Sequence, residues 1–116
     1  MFRLEESHEF EWPVEIRKPV GVDPQRRPRY ESHRIVVTFR ALPLDEAAGA
    51  MEESGDAPRE PLMQRVIVAW QGVHDSDGEA LPCTPDNVAR LTRIGYVGAA
   101  LTEAYFRALT GRAEKN

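Results

Sequence analysis

The sequence Phe10-Glu11-Trp12-Pro13-Val14-Glu15-Ile16 gives the clearest structural signal near the N-terminal end of the chain. Apolar and polar side chains alternate along it, and a period of two is typical of a strand with one buried face. Pro13 lies inside this run and has no N–H to donate to a neighbouring strand. We therefore predict a half-buried strand over residues 10–16 that lies at a sheet edge or carries a bulge.

A second strand is predicted after a break in the pattern. Residues 19–28 contain three prolines and a glycine, which predicts a long turn. The stretch from Arg34 to Arg40 is rich in β-branched residues, which favour strands. Two sequential strands joined by one turn pair most simply as an antiparallel hairpin.

Helical signals begin after Pro43. Residues 44–51 contain three alanines and have the acidic Asp45 and Glu46 in their first turn, which predicts a short helix, and residues 52–60 are the only candidate for a mobile linker. Pro61 suits a first helical residue, and Leu62, Val66 and Trp70 then recur every four residues up to Gly72. The run 66–68 also fits a buried strand, so both interpretations stay open.

Two more helices are predicted towards the C-terminal end. Thr84 is a hydroxyl cap followed by Pro85, a typical helix start, and Gly95 is expected to close that helix. Gly111 and Arg112 suit the end of the last helix. The apolar residues of the first of these helices are expected to be Val88, Leu91 and Ile94, and those of the second Val97, Ala100, Leu101, Ala104, Tyr105, Ala108 and Leu109.

Strands followed by helices predict an α+β fold: an N-terminal antiparallel β-hairpin followed by three to four α-helices. A chain of 116 residues is expected to form one small domain, with residues 1–42 as the hairpin portion and residues 43–116 as the helical portion. Trp12 and Trp70 are expected to anchor the core.

Composition limits the functional classes. The net charge of −4 argues against a general nucleic-acid binder, and the single cysteine, Cys83, rules out an internal disulfide and fits a reducing compartment. No apolar run approaches the ~20 residues that span a bilayer. We expect a soluble, cytoplasmic protein without a membrane partner.

No catalytic, metal-binding or cofactor-binding residue is assigned. His74, Asp75, Asp77 and Glu79 are close in sequence, but no register of a calcium loop fits them, and an acidic turn at Asp77-Gly78 is the simpler interpretation. His8 and His33 lack zinc-ligand spacing, and Ser7-His8-Glu9 lacks the context of a hydrolase. Cys83 has no adjacent histidine and is expected to be a buried or half-buried thiol.

Two features suggest partner binding. Arg26, Arg27, Arg29 and Arg34 concentrate positive charge around Tyr30, a combination that suits a protein interface or RNA, although a solvated hairpin tip is equally consistent. Phe106 falls opposite the apolar stripe of the last helix. It is expected either to pack on another element or to contact a partner.

Several motifs resemble tail assembly chaperones of long-tailed bacteriophages, especially those encoded by prophages. The resemblance covers both end thirds of the chain in matching order and is weak over residues 43–62. It rests on Phe10-Glu11-Trp12-Pro13-Val14, Trp70-Gln71-Gly72-Val73, Asp75-Ser76-Asp77-Gly78, Leu81-Pro82-Cys83-Thr84-Pro85-Asp86-Asn87-Val88, Ala100-Leu101, Ala104-Tyr105-Phe106 and Gly111-Arg112-Ala113-Glu114-Lys115-Asn116.

The resemblance implies a non-catalytic protein that binds the tape-measure protein and keeps it soluble during tail assembly. It also implies a homo-oligomer in the host bacterial cytoplasm that is absent from the virion, and a longer form, made by ribosomal frameshift, that engages the tail-tube protein. Glu114-Lys115-Asn116 can be encoded with a slippery heptamer. The alternatives are another phage morphogenesis protein (a minor tail or head–tail connector component) and a small nucleic-acid-binding module.

Overall fold

The computed structural model describes residues 1–5, 7–51 and 61–111, and it opens with an antiparallel hairpin. Strand β1 spans Glu9–Val22 and strand β2 spans Pro28–Arg40. Trp12 pairs with Val37 and Val14 pairs with Ile35. The predicted hairpin is confirmed, and both of its strands are longer than the sequence patterns indicated.

The long turn predicted over residues 19–28 is wrong, because only residues 23–27 separate the two strands. The Ala41 N–H donates to the His8 carbonyl, so alternation along the ladder places Pro13 and Pro19 at positions that need no N–H towards β2. A register shift between Pro19 and Gly21 accommodates Val20 as a bulge. The two prolines therefore lie within β1 without costing a ladder hydrogen bond.

A third strand, β3, spans Ile67–Gln71 and gives the sheet the order β1-β2-β3. The predicted edge position of β1 is therefore confirmed. Helix α2 covers only Leu62–Val66, so the helix predicted through Trp70 is wrong beyond Val66 and the alternative strand is confirmed for Ile67 and Val68. Pairing with β2 decides the outcome, because Ile67 lies opposite Phe39.

The described residues form three further helices: α1 over Leu44–Met51, α3 over Pro85–Thr92 and α4 over Gly95–Thr110. Thr84 caps α3 as predicted, since its hydroxyl oxygen accepts from the Asn87 N–H at 3.2 Å. Gly111 ends α4 at φ 70°. The predicted linker over residues 52–60 and the predicted cation Arg112 lie outside the described residues.

The junction between α3 and α4 differs from the prediction. Gly95 begins α4 instead of closing α3, which ends at Thr92, and Ile94 is 43% exposed instead of lining the core. The next glycine, Gly98, allows the two helices to approach, because a Cβ there would collide with the Thr92 carbonyl oxygen. Only Arg93 and Ile94 therefore lie between the two helices.

The helices cover one face of the sheet, and the core lies between them. Tyr105 joins the two layers: its hydroxyl donates to the Arg40 carbonyl and accepts from the Leu42 N–H, both at 3.0 Å. Trp12 and Trp70 are half-buried at the margin and pack against the core. The buried residues are Val14, Ile16, Ile35, Val37, Phe39, Ala47, Leu62, Met63, Val66, Ile67, Val88, Val97, Leu101 and Tyr105.

This arrangement confirms the predicted α+β class as a single small domain, with an N-terminal antiparallel sheet and, in the ranges that the structure describes, four helices. The sheet has three strands, because the portion predicted to be helical contributes β3. With a longest dimension of 51 Å and a shortest of 31 Å, the molecule is elongated. The part of the hairpin that extends past the core carries the candidate site.

Candidate functional site: a basic arm

The outer half of the hairpin forms a projection that we call the basic arm, residues 17–34. Ile16 and Ile35 are the last buried residues at its base, and beyond them every residue except Asp23 is exposed. The arm carries six cationic side chains and two carboxylates within a chain of net charge −4. It therefore presents a positive surface on an acidic protein.

The tip of the arm is held by one aspartate. Asp23 Oδ1 accepts hydrogen bonds from the N–H groups of Gln25 and Arg27, at 2.9 and 2.8 Å. The Arg27 Nε lies 3.4 Å from Asp23 Oδ2, and Arg26 adopts a left-handed φ of 62°. The Asp23 contacts fix the backbone at Arg26 and Arg27 and neutralise one of the arginines.

Elsewhere in the arm, cationic and apolar side chains are exposed on the surface. The Arg17 guanidinium lies 4.4 Å from the centre of the Tyr30 ring, a cation–π contact. Tyr30, Val20 and Val22 are 50%, 48% and 61% exposed. Exposed apolar groups beside arginines are a composition found in protein interfaces.

Three of the predicted arginines have no carboxylate within 4.0 Å among the residues that the structure describes. Arg27 pairs with Asp23, whereas no such ion pair involves Arg26, Arg29 or Arg34. The structure thus brings the predicted group Arg26, Arg27, Arg29 and Tyr30 onto one projection. Sequence reasoning missed Arg17, Lys18, Val20 and Val22, although β-branched residues between the prolines were a signal for a longer strand.

Phe106 belongs to a different part of the molecule. It is half-buried on α4, packs against the core and meets the Tyr105 ring edge-on at a centroid distance of 5.6 Å. Of the two alternatives for this residue, packing is thus observed. A partner contact through its exposed part remains a prediction.

The acidic turn has a structural explanation. Asp75 Oδ1 accepts from the N–H groups of Asp77 and Glu79, and the turn is closed by an isolated bridge between His74 and Ala80. Within residues 1–5, 7–51 and 61–111, no three His, Cys, Asp or Glu side chains are grouped so that they could hold a metal ion. The carboxylate of Asp75 serves the backbone of the loop.

The other residues considered for chemistry have local partners. His8 lies 2.9 Å from the Glu5 carboxylate and stacks on Phe10, and His33 lies 2.6 Å from the Glu31 carboxylate. Cys83 is half-buried as predicted, and burial raises the pKa of its thiol above the ordinary value. A raised pKa lowers the thiolate fraction and hence the reactivity of this cysteine.

None of the helices in the described ranges is long and apolar enough to cross a membrane. Comparison of the chain with models of known protein families, with curated proteins and with solved structures finds no match.

Proposed function

We propose that this protein is a phage tail assembly chaperone that binds the tape-measure protein and keeps it soluble, without catalysis. The observation that carries the proposal is the basic arm. The arm adds no residue to the buried core of its own domain, and its exposed Tyr30, Val20 and Val22 are suited to contact with another protein. The choice of the tape-measure protein as partner comes from the motif resemblance.

In this proposal the arm and α4 contribute different contacts. Arg26 and Arg29 pair with acidic groups of the partner, since neither has a carboxylate neighbour among the described residues. Phe106 offers the part of its side chain that the core leaves exposed. Homo-oligomerisation, and a longer form that engages the tail-tube protein, belong to the same proposal.

Co-expression with the tape-measure protein from the same gene cluster tests it, with soluble yield and co-purification as readouts. We expect the partner to become soluble only with this chain and to elute with it. Arg29→Glu should reduce co-purification several-fold, because a like charge replaces an attraction at the interface. Arg93→Glu, an equal charge change at an exposed site outside the arm, should not.

Two results would count against the proposal. One is a partner that stays insoluble with and without this chain. The other is equal loss of co-purification in both charge variants, because net charge and not the arm would then govern the interaction. A minor tail or connector protein would instead co-purify with assembled tails or heads.

A further inference from the structure

The sheet has a vacant strand position beside the basic arm. Strand β3 pairs with β2 only from Val36 to Phe39. In the described part of the chain, β2 therefore has β1 on one side from Tyr30 to Arg34 and no strand on the other. The chain of β3 leaves this line at Gly72, where φ is 88° and the backbone lies beside the Arg34 carbonyl.

The ladder geometry shows which groups face the vacancy. The hydrogen bond from the Ala41 N–H to the His8 carbonyl fixes the alternation of β2, whose register with β1 is unbroken as far as Tyr30. Residues at even positions thus turn their N–H and C=O groups away from β1. Tyr30, Ser32 and Arg34 present such groups over about 14 Å, enough for a short added strand.

The two edges of the arm are not equivalent. The outer edge of β1 is interrupted by Pro13 and Pro19 and by the bulge at Val20, all features that prevent strand pairing. Strand β2 contains no proline after Pro28, and its register with β1 is regular from Tyr30 to Arg40. Of the two edges of the arm, both within the described residues, the β2 edge is therefore the one open to another strand.

Charge indicates what kind of strand fits. Arg29 and Arg34 flank the vacant position without a carboxylate within 4.0 Å among the described residues. The nearby Glu31 carboxylate is already held by His33. An added strand would thus meet uncompensated guanidinium groups, which pair best with carboxylates.

We propose that the β2 edge from Tyr30 to Arg34 binds an acidic polypeptide segment in extended conformation by strand addition. Backbone hydrogen bonds to Tyr30, Ser32 and Arg34 hold the segment in register, and its carboxylates pair with Arg29 and Arg34. The inference does not depend on the proposed function, because it specifies the conformation and charge of the bound segment whichever protein carries it.

The test uses the full chain and a fluorescent peptide of about eight residues in which glutamate alternates with valine. Ser32→Pro removes an outward N–H and places a ring on the vacant side, while the bonds to β1 are kept. Ser32→Ala is the matched control. We expect about tenfold weaker binding, measured by fluorescence anisotropy, for Ser32→Pro than for Ser32→Ala.

A second probe protects the test against a folding defect in Ser32→Pro. The same peptide with alternate backbone nitrogens methylated keeps its charge but cannot pair, and it should bind the wild-type chain about tenfold more weakly. Equal binding of both peptides would show attraction by charge alone and overturn the proposal. It would also be overturned if neither peptide binds, or if the wild-type chain is a dimer that Ser32→Pro converts to a monomer, since a second copy would then occupy the edge.

Discussion

Tyr105 is the residue that connects the sheet layer to the helix layer. Its ring is fully buried against Phe39, and its hydroxyl bonds the backbone at Arg40 and Leu42, more than sixty residues away in sequence. Removal of the hydroxyl leaves a backbone donor and a backbone acceptor without this partner. A buried donor or acceptor that loses its hydrogen-bond partner lowers the free energy of unfolding.

We therefore predict that Tyr105→Phe lowers the free energy of unfolding by about 1–3 kcal/mol, measured by urea denaturation. Tyr96→Phe is the control, because the half-buried Tyr96 makes no such hydrogen bond in the described structure, and it should stay within about 0.5 kcal/mol of wild type. Equal losses in the two variants would contradict the role given to Tyr105.

The same hydroxyl gives the stability a pH dependence. Burial raises the pKa of Tyr105 above its ordinary value of 10.0, with partial opposition from the Leu42 N–H and from Arg65. Because the pKa of Tyr105 is higher in the folded than in the unfolded state, the contribution of its hydroxyl to the free energy of unfolding is complete below pH 10. This contribution is lost as the pH rises further. The difference in unfolding free energy between wild type and Tyr105→Phe should therefore shrink above that pH.

For single residues, the sequence predicted the features that depend on sequence neighbours. It did not predict contacts between residues far apart in the chain. The Thr84 cap and the Gly111 terminus depend on neighbours within a few residues, so the sequence was sufficient to locate them. The Tyr105 contact with Arg40 depends on how α4 docks on the sheet. No local pattern encodes that docking.

For whole secondary-structure elements, pairing with a neighbouring strand outweighs the helical spacing of apolar residues. The four-residue spacing of Leu62, Val66 and Trp70 favoured one continuous helix, but β2 offers a free edge that recruits Ile67 onwards as a strand. The arm shows the same effect, because Pro19, one of the prolines that predicted a turn, lies at a position of β1 that needs no donor. The arginines of the arm were recognised from the sequence. Arg17 and Val20 were not assigned to the same surface, because the sequence did not predict that β1 extends to Val22.

Gly98 determines how closely α3 and α4 approach each other. A methyl group there would collide with the backbone carbonyl of Thr92, which cannot rotate away as a side chain can. We predict that Gly98→Ala lowers the free energy of unfolding by about 1–3 kcal/mol. Gly95→Ala adds the same group where nothing lies within 4 Å and should be neutral or stabilising by up to about 1 kcal/mol. Thermal unfolding of both variants is the measurement, and no destabilisation by Gly98→Ala would contradict the close approach.

At the scale of the whole molecule, the arm and the core are structurally separate. Ile16 and His33 form a hydrogen-bonded pair by the alternation of the ladder, so a two-residue turn can join them. We predict that replacing residues 17–32 with Asn-Gly leaves the melting temperature within about 5 °C of wild type, because no residue of the core is removed. The shortened chain should fail to co-purify with the tape-measure protein. If the shortened chain still co-purified with the tape-measure protein, the helices and not the arm would be the binding surface.

The separation of arm and core also divides the charge of the molecule. The arm carries four positive charges net, so the rest of the chain carries eight negative charges net. Strand residues 17–22 extend about 20 Å, more than twice the Debye length of about 8 Å at physiological ionic strength. An approaching macromolecule at the tip therefore experiences the local positive potential and not the overall negative one. In dilute buffer the two potentials merge, so an acidic partner should associate fastest at intermediate ionic strength.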